Sequence, residues 1–540
     1  MESYREAGAA RSKVKHRTLA NLTHHAPEEV AALEFALKHK RDLPRLEAAL
    51  GAEVKQGRSV GAVWALKQVA ERVGLVKALG NSEEGKRALW LVLARLLDQG
   101  SRLSAVRLAE GQAAGEVLGL SGFDEDDLYS AMDWLEKRQG RIEQSLFRSR
   151  HASSPPQLYL YDVTSSYLEG DCNAYGAYGY NRDGKRGKKQ IVVGLLLDGA
   201  GEPVSVEVFA GNTQDVLTVE SQVRKLADRF GAKGVTLVGD RGMLKSAQLT
   251  ELSAEGFHYL TAITKPQIDS LLKSGALQLG MFDEKLCEVE ERGIESRGHR
   301  VRYLLRKNPQ RAAELGASRE DKFRCLQARA IKRNAYLAEH PRAKVETGLR
   351  DINAYAKRLR IDGWARVRIE GRGLVVEVDE EARQAESRLD GCYVLKTDVP
   401  PAAADAETLH ARYKDLTEVE RAFRVMKTVH LELRPVYVQK ASRTRAHVFI
   451  VMLAFLLQRQ LQRAWRPLDL TVEEGINALA SLCAYELVLQ NHAGYLTVPK
   501  PRADLQPLFS ALNTTPPTHL PRRLESVVTK AKLPPRRKKA

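Results

Sequence analysis

The chain has 540 residues, which predicts roughly three or four domains of about 150 residues each, and 43% of its residues are hydrophobic, enough for a sizeable core. Its 85 Lys and Arg residues outnumber 68 Asp and Glu residues and give a formal net charge of +17. This excess favours a polyanionic partner, nucleic acid before membrane, although ribosomal and other basic proteins share it.

Residues 1–150 are predicted to form a helical N-terminal domain. Apolar residues recur at helical spacing from Val60 to Arg107, with basic residues between them, and a further helix is expected from Asp124 to Leu146. A basic helical module is suited to recognising DNA ends. An ordinary helical bundle that packs on the next domain explains the pattern equally well.

Residues 151–265 have a mixed α/β pattern, because short apolar runs bounded by turn residues alternate with helical segments. Such an order is typical of a mixed sheet with helices packed on it. The expected strands are 158–163, 190–197, 204–209, 235–238 and 258–264, and the expected helices are 218–230 and 244–254.

Residues 266–405 interrupt this alternation and are predicted to be an inserted subdomain. The segment holds several strand-like pieces, at 285–291, 301–305, 366–378 and 392–395, around a long charged helical stretch at 320–359.

The last part of the chain divides into two predicted segments. Residues 406–490 are expected to complete the core and to add C-terminal helices, among them 446–465 and 472–489. Residues 491–540 are rich in Pro, Lys and Arg, and we expect a basic, disordered tail there that attracts phosphates without specificity.

Residues 413–427 are predicted to form one helix with a mixed chemical face. At about 100° per residue, Tyr413, Glu420, Arg424 and Lys427 fall on one stripe, with the apolar side chains mostly to one side of it. One face can therefore be buried while the next offers an acid, two cations and a phenol. A solvated ion-pair network is the simpler interpretation unless other acids converge on this stripe.

Cysteine usage and hydropathy exclude several other classes of protein. The five cysteines are scattered, and none has the Cys-x-x-Cys spacing or histidine neighbours of a zinc site, so a reducing cytoplasm is favoured over a disulfide framework. The N-terminus lacks the apolar core of a signal peptide. The longest apolar run, 448–457, is about half as long as a membrane-spanning helix. We expect a cytoplasmic protein with no membrane partner.

Three acids stand out by their position. Asp162 lies within a predicted strand, Asp240 directly follows a buried one, and Glu420 lies on the helix with the mixed face. Acids at the ends of central strands point into the crevice where α/β sheets place their sites, and carboxylates there can hold divalent ions. Each could instead be a turn or surface residue, and spacing alone does not choose these three over Glu169, Asp171, Asp183, Asp215 and Glu418.

The sequence resembles the DDE transposases of bacterial insertion sequences in three motifs. These are Asp162-Val-Thr-Ser, Gly239-Asp240-Arg241-Gly242 and the spacing of Tyr413, Glu420 and Lys427. The third motif is similar to the branch with the signature Tyr-(2)-Arg-(3)-Glu-(6)-Lys, except that Leu416 stands where that branch has Arg. The resemblance extends over about residues 60–490.

The resemblance implies an α/β, ribonuclease-H-like catalytic core interrupted by a β-rich insertion. It further implies that Asp162, Asp240 and Glu420 bind two divalent ions, Mg²⁺ or Mn²⁺, for in-line phosphoryl transfer. Members of this branch cut double-stranded DNA at the element's terminal repeats and join the freed 3′-OH to target DNA, some of them through a hairpin. A homodimer that pairs two DNA ends is expected.

The same resemblance suggests which residues contact DNA. Tyr413 and Lys427 are expected to hold phosphates beside the scissile bond, with Arg424 in place of the missing Arg. Arg241 is expected either to contact DNA or to pair with a catalytic acid, and the basic run 175–189 is either a DNA-contacting loop or a solvated connection.

The predicted function is therefore DNA transposition. Two alternatives stay open, namely a catalytically silent DNA-binding protein derived from a transposase and a metal-dependent nuclease without strand transfer.

Overall fold

The structure is a computed structural model that describes residues 2–4, 15–17, 27–38, 42, 53–245, 248–249, 252, 254–296, 299–428, 431–489 and 492–521. The chain divides into two compact units. The smaller unit comprises residues 1–69, 102–125 and 461–540, and the larger unit comprises residues 70–101 and 126–460. The five predicted segments stay a prediction.

The larger unit contains an eight-stranded mixed sheet in the order β6-β5-β4-β7-β8-β13-β10-β9. The strands at its centre are the buried apolar runs of the sequence, and β5 is buried at every position. The strands are β4 (Leu158–Tyr167), β5 (Gln190–Asp198), β6 (Pro203–Ala210), β7 (Thr236–Gly239), β8 (His258–Ala262), β9 (Cys287–Ser296), β10 (His299–Lys307) and β13 (Cys392–Thr397).

The first five strands of this sheet have a distinctive topology. Strand β5 is antiparallel to its neighbours β4 and β6, whereas β7 pairs parallel with both β4 and β8. In order of occurrence the strands lie 3-2-1-4-5, with only the second one reversed. This is the arrangement of a ribonuclease-H-like core, so the expected fold class is confirmed.

Helices cover the sheet where its strands bury apolar side chains. On one face, the core joins Tyr161 and Leu237 to Phe147, Val219 and Val223 of the covering helices. The helices of the larger unit up to residue 273 are α3 (Leu75–Leu79), α4 (Glu83–Leu97), α7 (Glu125–His151), α8 (Asp215–Arg224) and α9 (Lys265–Lys273). The predicted helix at 244–254 lies only partly within the described residues.

The insertion extends the same sheet and adds a separate core. It carries the expected strands, because β13 returns beside β8 and β10 and β9 continue the sheet. Two long helices pack on the hairpin of β11 (Ala365–Glu370) and β12 (Gly373–Val378) around buried Trp364. The helices of this region are α10 (Pro309–Glu339), α11 (Val345–Leu359) and α12 (Glu380–Ser387).

The segment predicted as one helix over 413–427 is two helices. Helix α13 (Ala406–Lys414) ends at Asp415, and α14 (Leu416–Lys427) begins directly after it. Asp415 keeps helical backbone angles at the junction of the two helices. The buried residues of α14, including Val419 and Met426, form its apolar face.

The apolar helix α15 (Ala441–Trp465) confirms the prediction at 446–465, and it begins in the larger unit and ends in the smaller one.

The smaller unit has a four-stranded sheet in the order β16-β15-β14-β3. Its strands are β3 (Glu53–Ser59), β14 (Cys483–Leu489), β15 (His492–Thr497) and β16 (His519–Leu520). Its other helices are α1 (Pro27–Lys38), α2 (Gly61–Arg72), α5 (Arg102–Gly111), α6 (Ala114–Leu118), α16 (Val472–Ala480) and α17 (Gln506–Ala511).

Two predictions about the end of the chain are wrong. The helix expected over 472–489 stops at Ala480, and Cys483–Leu489 forms β14 because it pairs with β3 more than 400 residues earlier. The tail expected to be disordered from 491 contains β15, α17 and β16 up to Leu520. The basic residues beyond 521 lie outside the described residues. Among the helices that the structure describes, none is long and apolar enough to cross a membrane.

Candidate active site

Asp162 and Asp240 lie side by side in the central sheet. Strands β4 and β7 are parallel, and Tyr161 pairs with Gly239. Asp162 and Asp240 each follow a member of this pair. Because neighbouring strands lie about 4.8 Å apart, Asp162 and Asp240 are neighbours across the two strands, at the point where β7 ends. The structure thus brings together two of the three predicted acids.

Asp162 occupies an environment that disfavours its charge. Burial, followed by the Asp240 carboxylate, raises the pKa of Asp162 to about 7, although the Val163 N–H donates a hydrogen bond of 2.7 Å to Asp162 Oδ1. Two acids this close repel each other when both are ionised. A cation between them relieves this repulsion, so the pair is suited to binding one.

The loop after β7 fixes Asp240. Its carbonyl oxygen accepts hydrogen bonds from the Met243 N–H at 3.1 Å and from Thr261 Oγ1 at 3.2 Å. Gly242 has φ +82, a conformation that favours glycine and allows the chain to turn at once. These two hydrogen bonds fix the backbone of Asp240, and its side chain is exposed.

Tyr413 lies beside the acid pair at the end of α13. Its ring is half-buried, and burial, followed by the Asp240 carboxylate, raises the pKa of Tyr413 well above its usual range. Its hydroxyl hydrogen-bonds to Asp240, and the charge of Arg241 acts on it as well. Tyr413 therefore lies beside one of the candidate acids, and the phosphate contact expected of it stays a prediction.

Glu420 lies on the same flank of α14 as Lys427, since the seven residues between them make about two turns. Tyr413 belongs to the preceding helix, α13. Helix α14 packs on β4, and the Glu420 side chain is exposed. Among the described residues, however, no three acidic, histidine or cysteine side chains lie close enough together to hold a metal ion. Glu420 therefore does not join the Asp162–Asp240 pair in this structure.

Lys427 forms a buried ion pair within the protein. Its Nζ lies 2.9 Å from Asp183 Oδ1, and the two side chains are 10% and 2% exposed. Arg434 binds the same carboxylate, and the Tyr167 N–H donates to its other oxygen at 3.2 Å. Burial lowers the pKa of Lys427, and Asp183 opposes that effect. Lys427 thus anchors the loop at 183 to the end of α14.

The two predicted arginines are both accessible. Arg424 is exposed on α14 and Arg241 is exposed directly after Asp240. Within the described part of the chain, neither side chain forms an ion pair.

Sequence reasoning considered Arg182 only as part of the basic run 175–189, and it counted Asp183 and Asp215 only among competing acids. The charge of Arg182 acts on Asp162, and Arg182 forms an ion pair of 2.6 Å with Asp215. The basic run 175–189 was the available signal. It did not distinguish one cation from another.

Residues 153–457 match the family described as Transposase DDE domain, more than half of the chain, and this region includes all three candidate acids. The chain belongs to the DDE transposase family.

No curated protein matches this transposase in sequence. Among solved structures, the cryo-EM structure of the piggyBac transposase synaptic complex with hairpin DNA is similar, with a TM-score of 0.40 and 9% identity over 79% of this chain and 82% of that chain.

DDE transposases normally use divalent metal ions. In this transposase the buried carboxylate of Asp162 and the exposed carboxylate of Asp240 fit such an ion, because carboxylate oxygens are the preferred ligands of Mg²⁺ and Mn²⁺ and because a cation relieves the repulsion between the two acids. Glu420 is exposed on α14, the helix that packs on β4.

Proposed function

We propose that this protein is the transposase of a bacterial insertion sequence, of the branch with the Tyr-Arg-Glu-Lys signature. In this proposal it cuts the ends of the element and joins the freed 3′-OH to target DNA. The adjacency of Asp162 and Asp240 at the end of β7, within the matched region, carries the proposal.

Asp162, Asp240 and Glu420 would hold two divalent ions, Mg²⁺ or Mn²⁺, that activate the attacking oxygen and stabilise the leaving oxygen of a phosphodiester. Asp162 and Asp240 are pre-positioned by the pairing of β4 with β7. Glu420 is proposed as the third ligand because it lies on α14, which packs on β4. Tyr413 orients Asp240 through its hydroxyl.

DNA contacts fall on the cations that the fold leaves accessible. Arg241 and Arg424 are exposed near the acids and are proposed to bind DNA phosphates, so that Arg424 compensates for Leu416. The phosphate contact expected of Lys427 is replaced by a role in anchoring, because its ammonium group is buried against Asp183.

The partners proposed are double-stranded DNA, as terminal repeats and as target, and a second copy of the chain that pairs two ends. The net charge of +17 supports a polyanionic partner. Action on DNA in a bacterium places the protein in the cytoplasm, on the nucleoid.

The test is a cleavage and joining assay with the element's own terminal DNA and Mg²⁺ or Mn²⁺. The native chain is expected to transfer a 3′ end into a second duplex. Asp162→Asn, Asp240→Asn and Glu420→Gln are each expected to bind that DNA and to lose at least 100-fold in cleavage, as loss of a metal ligand does.

Glu418→Gln is the matched control for Glu420, since Glu418 lies on the same helix but pairs with Arg459 at 2.8 Å. It is expected to keep near-native cleavage. Cleavage without joining would identify a nuclease, and binding without cleavage by the native chain would identify a silent DNA-binding protein. Normal cleavage by Glu420→Gln would remove Glu420 from the site.

A further inference from the structure

An open cavity of about 370 Å³ lies next to the acid pair. We call it the Arg182 cavity, and its walls include Arg182, Arg241, Tyr180, Asn212, Asp215 and Met243. Arg241, Gly242 and Met243 follow Asp240 directly in the chain, so one wall of the cavity continues the loop that carries a candidate metal ligand. A group bound in this cavity would lie next to Asp240 and therefore next to a phosphate held at the acid pair.

The walls of the Arg182 cavity are tied together. Gln190 Nε2 donates to the carbonyl oxygens of Tyr180 at 3.1 Å and Gly211 at 2.8 Å, which joins the loop at 180 to the end of β6. Gly179 allows this approach, because a Cβ atom there would lie 2.1 Å from the Gly211 oxygen. The Arg182 N–H also donates to Ser165 Oγ of β4 at 2.9 Å. The site is therefore largely pre-formed and Arg182 projects from a fixed backbone.

The Arg182 guanidinium is held by a weak partner. Its ion pair with Asp215 is 2.6 Å long, but the two side chains are 26% and 38% exposed. Partly exposed pairs of this kind contribute little, because water and salt screen them. A DNA phosphate with the same charge can therefore replace the Asp215 carboxylate, and a guanidinium binds phosphate in a bidentate geometry.

We propose that the Arg182 cavity is a subsite for a DNA backbone phosphate next to the scissile bond, with Arg182 and Arg241 as its ligands and Asp215 as the group that occupies Arg182 in the absence of DNA. The proposal rests on the proposed function. Arg182 then supplies a cation from a loop, in addition to the one that Arg424 is proposed to supply from α14. The two guanidinium groups alone would be enough to bind a small free anion. The open cavity beside them leaves room for the sugar and the strand that continue from a backbone phosphate.

The test measures DNA binding by the full chain carrying Asp162→Asn, so that no cleavage intervenes. Added to this background, Arg182→Ala is expected to weaken binding about tenfold and to reduce the slope of log K against log salt by about 1. Asp215→Asn is expected to strengthen binding, because it releases Arg182. A merely structural pair would give losses from both substitutions and no change in slope.

The matched controls are Arg388→Ala and Asp269→Asn. That ion pair also has a length of 2.6 Å with side chains 45% and 38% exposed, but it lies in the insertion. Neither control is expected to change the salt dependence.

A neutral methylphosphonate moved along the DNA strand locates the contacted phosphate. At one position it is expected to weaken binding by the native Arg182 protein and to have no further effect on Arg182→Ala. If every position affects both proteins equally, the subsite is refuted while DNA binding stands. If no terminal DNA is bound by any variant, the proposed function fails instead.

Discussion

Arg182 and Asp183 are neighbours in one loop, and the fold uses their charges in opposite ways. The Asp183 carboxylate is 2% exposed and is bound by Lys427, Arg434 and a backbone N–H. The Arg182 guanidinium lies at an open cavity and has a partly exposed partner in Asp215. Burial, rather than charge or position in the motif, separates a side chain that holds the structure from one that is available to a ligand.

The magnitudes agree with this division. Removing one partner of a buried ion pair costs about 3–5 kcal/mol, because the other charge is left uncompensated. A partly exposed pair contributes at most about 1 kcal/mol. DNA can therefore displace Asp215 from Arg182, whereas it cannot displace Asp183 from Lys427 at a comparable cost.

The largest expected effect tests the buried member of this comparison. Asp183→Ala leaves Lys427 and Arg434 unpaired and is expected to lower the free energy of unfolding by about 3 kcal/mol. Asp215→Ala, the partly exposed counterpart, is expected to stay within about 0.5 kcal/mol of the native protein. Denaturant unfolding measures both, and equal losses would show that the two carboxylates do not differ in role.

The next effect concerns the acid pair. The pKa of Asp162 is raised to about 7 in the folded state, above the value near 4 of an unfolded chain. The charged carboxylate therefore destabilises the fold progressively as pH rises from about 4 to 7. Asp162→Asn removes this penalty and is expected to stabilise the metal-free protein by about 2 kcal/mol at pH 8, less at pH 5, while it abolishes cleavage.

Thermal unfolding at pH 5 and pH 8, with and without Mg²⁺, measures this difference. Magnesium is expected to stabilise the native protein at pH 8 and to leave Asp162→Asn unchanged. If the native protein without metal is more stable at pH 8 than Asp162→Asn, the charged Asp162 carboxylate does not destabilise the fold.

The smallest effect distinguishes the two cations of α14. Arg424→Ala is expected to reduce the salt dependence of DNA binding by about 1 unit of slope, because its exposed guanidinium is free to contact a phosphate. Lys427→Met is expected to leave that slope unchanged, since its ammonium group is bound to Asp183. If both variants show the same change of slope, Lys427 also contacts a DNA phosphate.

Much of the core follows from sequence patterns, because each pattern depends on neighbouring residues. The apolar run of β5 and the strand before Asp240 are each continuous in the chain, and both strands form as predicted. The helix expected over 472–489 failed for the same reason, since its spacing suits a helix as well as a strand and only pairing with β3 decides for β14.

The sequence by itself determined the strands that carry Asp162 and Asp240 and the helical character of the segment that carries Tyr413, Glu420 and Lys427, since periodicity and strand-end position are local properties. Only the tertiary structure decided the partners of the charges. Lys427 meets Asp183 across 244 residues of chain, and Arg182 meets Asp215 across 33. Whether a charge is buried depends on the elements packed over it, and no spacing within a motif contains that information.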